Sequence, residues 1–177
     1  MTGVLFPDLD PHNFPDDLTS DDWYTPEPIL AWAAKVLRGP IDTDPCWDPR
    51  SFVRPVLDAW TKQDDGLSRV WRGRCFVNPP YSNPAPWLRR CAMRQRESVA
   101  LVKLDPSTAA WNRWIWPHAR AVCFFGRRVH YARPGVGTSG APPWPSAAIW
   151  FAPRSVPANL ELLRSGPGIS AVARPPW

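Results

Sequence analysis

Two adjacent prolines, Pro79 and Pro80, close the apolar run Cys75-Phe76-Val77. Proline lacks a ladder donor, so a pair of them cannot sit inside a central strand. The run therefore reads as a short buried strand that stops at the edge of a sheet. Pro79 also biases Asn78 towards an extended backbone. Asn78-Pro79-Pro80-Tyr81 is thus a stiff corner that holds one carboxamide, two proline carbonyls and one aromatic ring in fixed relation. In a chain with 24 prolines the plain alternative is a proline-rich turn after a strand.

On either side of the corner, helical and extended patterns alternate. Thr25 reads as an N-cap, with Pro26 and Pro28 in the first turn. Ile29, Leu30, Trp32, Ala33, Val36 and Leu37 give the helical stripe, which Gly39-Pro40 stops. Ile41 to Asp44 reads as a short strand that leads into Pro45-Cys46. If that stretch is extended, Asp42 and Asp44 share a face and can receive an ammonium or hydroxyl groups. A turn rich in Asp and Pro is the other reading. A short helix within 51–62 and a turn at Gln63-Asp64-Asp65-Gly66-Leu67 follow. Trp87 to Glu97 and Ala109 to His118 read as helices. Ser98 to Leu104, Ala121 to Phe125 and Ser146 to Phe151 read as strands, and 135–145 as a flexible Gly/Pro loop.

This alternation predicts an α/β domain over 21–152, with a mostly parallel central sheet and flanking helices. Residues 1–20 read as a flexible tail, and the Pro-rich residues 153–177 as a weakly ordered one. Polar loops follow the strands at Ile41, Val77 and Leu104. In open α/β sheets a ligand binds outside the carboxyl ends of the strands, so these loops converge on one candidate site.

Charge is uneven along the chain. Residues 1–30 hold seven acids and no Lys or Arg, whereas 84–133 hold ten Lys/Arg against Glu97 and Asp105. A basic block suits a polyanionic partner, although a solvated helix face is the commoner use of such a run. Arg127, Arg128 and Arg133 lie past a strand end on the presumed active edge and read as phosphate contacts. Cys46, Cys75, Cys91 and Cys123 contain no CxxC pair, which leaves no zinc-type metal site. They suit reduced thiols in a cytoplasm. No apolar run is long enough to span a membrane, and no secretion signal opens the chain. His118 and His130 have no metal-like partner at useful spacing, and Cys46 reads as a packing residue. The 12 Trp, Trp144 included, read chiefly as packing residues.

The corner suits one chemistry in particular. An exocyclic amino group on a planar base is a weak nucleophile, because its lone pair is delocalised into the ring. The Asn78 side-chain oxygen and the Pro79 carbonyl can accept its two N–H bonds and pull the nitrogen towards a pyramidal geometry. Tyr81 offers a face for the base to stack on. With a sulfonium methyl as electrophile no strong base is needed, and the protein's work is positioning and electrostatics.

The ordered set Asp22-Trp23-Tyr24-Thr25-Pro26, Ile41-Asp42-Thr43-Asp44-Pro45-Cys46, Asp64-Asp65-Gly66-Leu67 and Gly73 to Tyr81 resembles the phage-type DNA N6-adenine methyltransferases (Dam-like). Trp87, the strand 98–104, Phe125-Gly126-Arg127 and Pro143-Trp144-Pro145-Ser146-Ala147 match as well. The resemblance covers roughly residues 21 to 152. It implies a Rossmann-like methyltransferase fold, S-adenosylmethionine as methyl donor and DNA as partner. It places Trp23, Tyr24, Thr25, Pro26, Asp42, Asp44, Pro45 and Cys46 along the cofactor pocket, with Asp65 towards the adenosine end. Asn78, Pro79, Pro80 and Tyr81 carry over as the catalytic loop. The glycine-rich first loop of many methyltransferases is absent, and Asp44-Pro45-Cys46 stands in its place. No separate target-recognition domain is evident, so specificity is loose or comes from a dimer; the chain acts as a monomer or homodimer. N4-cytosine, RNA-adenine or protein-glutamine methylation stay open, as does a non-catalytic DNA-binding protein on the same scaffold. Protection of viral DNA from host restriction is the role the resemblance suggests.

Overall fold

The computed structural model describes residues 21–132 and 142–175. The 1–20 tail, Arg133 and most of the Gly/Pro loop lie outside the described residues. The strands are β1 (Thr43–Asp44), β2 (Asp58–Ala59), β3 (Cys75–Val77), β4 (Ser98–Lys103), β5 (Ala121–Phe125), β6 (Ser146–Phe151) and β7 (Ile169–Ala173). They form one seven-stranded sheet in the order β2-β1-β3-β4-β6-β5-β7. The helices are α1 (Glu27–Val36), α2 (Ala85–Met93) and α3 (Leu160–Arg164). A π-helical turn, Trp111–Ile115, replaces the helix expected over 109–118.

Period-two alternation decides which side chain meets which layer. Along β4, Val99 and Leu101 join the core beneath α1 and α3, with Trp32, Val36, Phe76 and Leu163. Ala100 and Val102 face the other way, into the core with Leu88, Cys91, Trp111 and Ile115. The result is a three-layer α/β/α arrangement, compatible with a methyltransferase-like fold.

The mostly parallel, Rossmann-like sheet expected from the sequence is not what forms. β2, β1, β3 and β4 pair in parallel. β4 with β6, β6 with β5, and β5 with β7 pair antiparallel, over longer ladders. Two reversed strands cause this: β6 enters between β4 and β5, and β7 adds antiparallel to β5 at the edge. β5 consequently points the same way as β4, so β1, β3, β4 and β5 still deliver their carboxyl ends to a single edge.

Two further expectations change. The 153–177 segment is no loose tail: it carries α3 and β7. The Asn159 side chain caps α3 by accepting from the Leu162 backbone N–H at 3.0 Å. Trp32 Nε1 donates to the Leu162 carbonyl at 3.0 Å, and β7 completes the sheet beside β5. Leu163 is buried and supplies the apolar anchor, while the prolines merely flank these elements. Over 50–70 the expected short helix is only a 3-10 turn, Lys62–Asp64, after the two-residue β2.

The arginines of α2 turn partly inward. Arg94 donates to the carbonyls of Trp71 at 3.1 Å, Gly73 at 2.8 Å and Glu97 at 3.1 Å. Arg90 donates to the carbonyls of Leu67 and Arg69 and lies 4.8 Å from the Trp71 ring centre. Part of the basic block therefore staples the loop ahead of β3, leaving less of it for a partner.

Candidate active site

β1 has β2 on one side and β3 on the other, so the chain reverses its direction of travel across the sheet there. A crevice opens outside the carboxyl ends at such a switch point. A cleft of about 600 Å³ occupies this place, within the ~300–1,000 Å³ span of small-molecule sites. The loop after β1, the 61–66 turn, the corner after β3 and residues 21–25 line it.

Trp23, Tyr24, Thr25, Asp44, Pro45, Cys46 and Asp65 all line this cleft, together with Asn78 and Pro80. Pro26, Asp42, Pro79 and Tyr81 do not. Pro26 instead provides the N-cap position of α1, the place expected for Thr25. Thr25 is only 2% exposed, and its hydroxyl has no hydrogen-bond partner among the described residues. The same holds for the buried Ser51 hydroxyl, another cleft residue. Buried polar groups without partners are uncommon, and two of them among the cleft residues suit a polar ligand.

Asp42 and Asp44 part company. Asp42 accepts from Arg74 Nε at 2.7 Å, Arg74 Nη2 at 3.0 Å and the Arg74 backbone N–H at 2.8 Å. Hydrogen bonds from Arg74 hold its carboxyl below the usual carboxylate range against the opposing effect of burial. This pair braces the entry to β3 and takes Asp42 out of the cleft. Gly73 completes the brace. Its φ is +56°, and an added Cβ would lie 2.3 Å from the Asp42 carboxylate.

Asp44 faces the cleft with one oxygen accepting from the Cys46 backbone N–H at 2.9 Å. Burial pushes its carboxyl up to about 7. Beyond it, Asp48 accepts two bonds from the Arg50 guanidinium, at 2.9 and 2.8 Å. Burial alone would raise Asp48, but those bonds hold it below its ordinary value. Trp47, Asp48, Thr61, Lys62, Gly66 and Trp87 are cleft residues the sequence reading leaves unassigned. Asp48 and Trp47 directly continue the Asp44-Pro45-Cys46 loop, and that continuity is the signal for them.

At the corner, Asn78 Nδ2 donates to the Trp23 carbonyl at 2.6 Å. This bond fixes which end of the carboxamide faces where. Asn78 Oδ1 lies 3.2 Å from the Tyr81 hydroxyl, which lies 2.8 Å from the Tyr131 hydroxyl. The Tyr131 hydroxyl is in turn 2.9 Å from Ser146 Oγ. The Tyr81 ring packs against Tyr131 edge-on at 6.2 Å and against Trp144 at 5.4 Å. Trp23 adds edge contacts to Tyr131 at 6.0 Å and Trp144 at 6.1 Å. Asp21 ties this segment to the corner, accepting from the Ser82 backbone N–H at 2.9 Å and hydroxyl at 2.6 Å.

Arg127 and Arg128 are exposed just past β5, on the same edge; Arg128 donates to the Pro142 carbonyl at 3.2 Å.

A mixed α/β protein, with a polar small-molecule cleft at its sheet switch point and an Asn-Pro-Pro-Tyr corner on the rim, is of the methyltransferase-like class. The profile of the DNA N-6-adenine-methyltransferase (Dam) family matches residues 13–154. The chain belongs to that family. It is also 31% identical, over 93 residues, to a DNA N-6-adenine-methyltransferase of Haemophilus phage HP1. That match covers 50% of this chain and 53% of the relative, so the chain spans about half the length of the curated relative it matches.

Proposed function

We propose that this chain transfers a methyl group from S-adenosylmethionine to N6 of adenine in DNA. The observation that carries the reading is the fixed Asn78 carboxamide on the rim of a cleft with unpartnered buried hydroxyls. The bond to the Trp23 carbonyl can form only from the amide nitrogen, so the oxygen is left as acceptor. An adenine amine placed there donates one N–H to Asn78 Oδ1 and the other to the Pro79 carbonyl. The nitrogen becomes pyramidal and its lone pair turns out of the ring plane. The amine lone pair would form the new N–C bond as the sulfonium S–CH3 bond breaks with its electron pair kept by sulfur, so that the thioether S-adenosylhomocysteine leaves and the surplus amine proton passes to solvent. These acceptors are preorganised, so little reorganisation is needed at the moment of reaction.

The cleft residues suit the cofactor. S-adenosylmethionine supplies an electrophilic methyl on a sulfonium. Asp44 balances that end's positive charge, Asp65 accepts from ribose hydroxyls, and Thr25 and Ser51 offer the free hydroxyls. Trp23, Tyr24, Pro45 and Cys46 complete the wall. The target base is flipped out of the helix at a cost of a few kcal/mol, offset by stacking on the Tyr81 side of the aromatic cluster. Arg127 and Arg128, with Arg133, hold the phosphates.

The test uses Asn78→Ala. The substitution should abolish methyl transfer to unmethylated genomic DNA while cofactor binding, followed by calorimetry, stays within a few-fold of wild type. Digestion of the product should yield N6-methyl-2′-deoxyadenosine as the methylated nucleoside. Normal transfer by the variant, or N4-methylcytosine as product, would overturn the reading.

A further inference from the structure

The acceptor that the target amine needs already has a neighbour. Asn78 Oδ1 stands 3.2 Å from the Tyr81 hydroxyl, and that hydroxyl also stands 2.8 Å from Tyr131. A tyrosine hydroxyl has one hydrogen, so it can donate to one of these oxygens at a time. Tyr131 is fully buried, and beyond it Ser146 Oγ lies at 2.9 Å, with either of the two able to donate. The row of hydroxyls therefore has two polarities. In one, Ser146 donates to Tyr131, Tyr131 to Tyr81 and Tyr81 to Asn78. In the other, Tyr81 donates to Tyr131 and Tyr131 to Ser146, and the Asn78 oxygen is released.

Resting on the adenine-methylation reading above, we infer that Tyr131 and Ser146 are positioning residues that free Asn78 for the substrate by taking over the Tyr81 hydrogen. The Asn78 oxygen has two lone pairs, but while it accepts the Tyr81 hydrogen it offers a second donor a weaker bond; passing that hydrogen to Tyr131 keeps the oxygen's acceptor strength for the amine. In the exchange the Tyr81–Asn78 bond goes, an amine–Asn78 bond forms and the row reverses, which turns the Ser146 hydrogen away from Tyr131. No group ionises. Burial pushes the Tyr131 hydroxyl up to about 12 and the Tyr81 hydroxyl well above its ordinary value, so both stay neutral around pH 7. The aromatic packing of Tyr81 against Tyr131 and Trp144 keeps the two hydroxyls at this spacing.

A double-mutant cycle tests this. Tyr131→Phe keeps the ring and removes the hydroxyl. It should lower kcat/KM for unmethylated genomic DNA about tenfold or more, and leave the S-adenosylmethionine Kd unchanged. Tyr81→Phe removes the hydrogen that needs rehousing, so Tyr131→Phe should have almost no further effect in that background. Ser146→Ala should show a smaller loss, again suppressed by Tyr81→Phe, and it carries the test if Tyr131→Phe fails to fold. An equal loss with and without the Tyr81 hydroxyl would overturn the inference. Wild-type kcat/KM in both Tyr131→Phe and Ser146→Ala would do so too. Asn78→Ala, run beside the cycle, separates the levels. If it stays active, the adenine-methylation reading itself fails; if it is dead and the cycle is additive, only the role of Tyr131 and Ser146 fails.

Discussion

Asp44 is a residue whose chemistry depends on its burial. Burial pushes its carboxyl up to about 7 in the folded chain, against ~3.9 when unfolded. The folded state therefore holds a proton that the unfolded state has lost between about pH 4 and 7. Over that window Asp44's contribution to stability falls as pH rises, and above it the contribution is level. A cation bound beside Asp44 prefers the ionised form and must expel that proton at low pH. S-adenosylmethionine affinity should then rise with pH up to about 7, by as much as about tenfold per unit, and level off above. Asp44→Asn should bind more weakly and lose this dependence. Calorimetric titrations at a series of pH values check it: a pH profile for the variant parallel to wild type would remove Asp44 from the cofactor's surroundings.

Two elements have consequences that single residues do not reveal. The 61–66 turn closes against the loop after β1 so tightly that a Cβ on Gly66 would lie 1.9 Å from the Pro45 carbonyl oxygen. Backbone is on the far side of that contact, so the two cleft walls must separate to admit a methyl. Gly66→Ala should cost about 1–3 kcal/mol of stability by denaturant titration, and weaken cofactor binding. The other element is β7. Removing residues 153–177 strips the outer neighbour from β5 and leaves a bare ladder edge, together with the hole vacated by Leu163. Such a truncation should aggregate or melt early, whereas a dispensable tail would leave the thermal transition in place. These elements show where the sequence was readable. The stripe from Ile29 to Val36 has the helical period and Val99 to Val102 is an unbroken apolar run, so α1 and β4 were plain. The corner after β3 and the Asp44-Pro45-Cys46 loop were also plain, because proline and polar residues mark strand ends. β7 and α3 were hidden behind flanking prolines. Asp42 was misplaced because its partner, Arg74, is 32 positions away and alternation along one strand carries no information about it.

At the scale of the whole molecule, strand direction was the least legible property. Ser146 to Phe151 reads the same forwards or backwards, and only the packing of β6 between β4 and β5 sets its sense. That reversal matters for function, since it brings the start of β6, with Ser146 and Trp144, to the edge where β3 and β5 end. It also bears on how a net charge of +5 is used. Arg90 and Arg94 are spent on backbone carbonyls, and Arg72 and Arg74 on Asp58 and Asp42. Near the site, among the described residues, Arg127 and Arg128 are exposed past β5, Arg128 with one bond to the Pro142 carbonyl, and Lys62 lines the cleft. The two groups should behave oppositely. Arg127→Gln with Arg128→Gln should weaken DNA binding with stability intact, and flatten the plot of log affinity against log salt by about 1.8, at ~0.9 per phosphate contact. Arg94→Gln should instead lower the melting temperature by releasing the loop ahead of β3. Fluorescence-anisotropy titrations of a labelled duplex between low and moderate salt, beside thermal melts, separate the two. If the Arg127/Arg128 double variant keeps the wild-type salt slope, the DNA phosphates lie against another face of the protein.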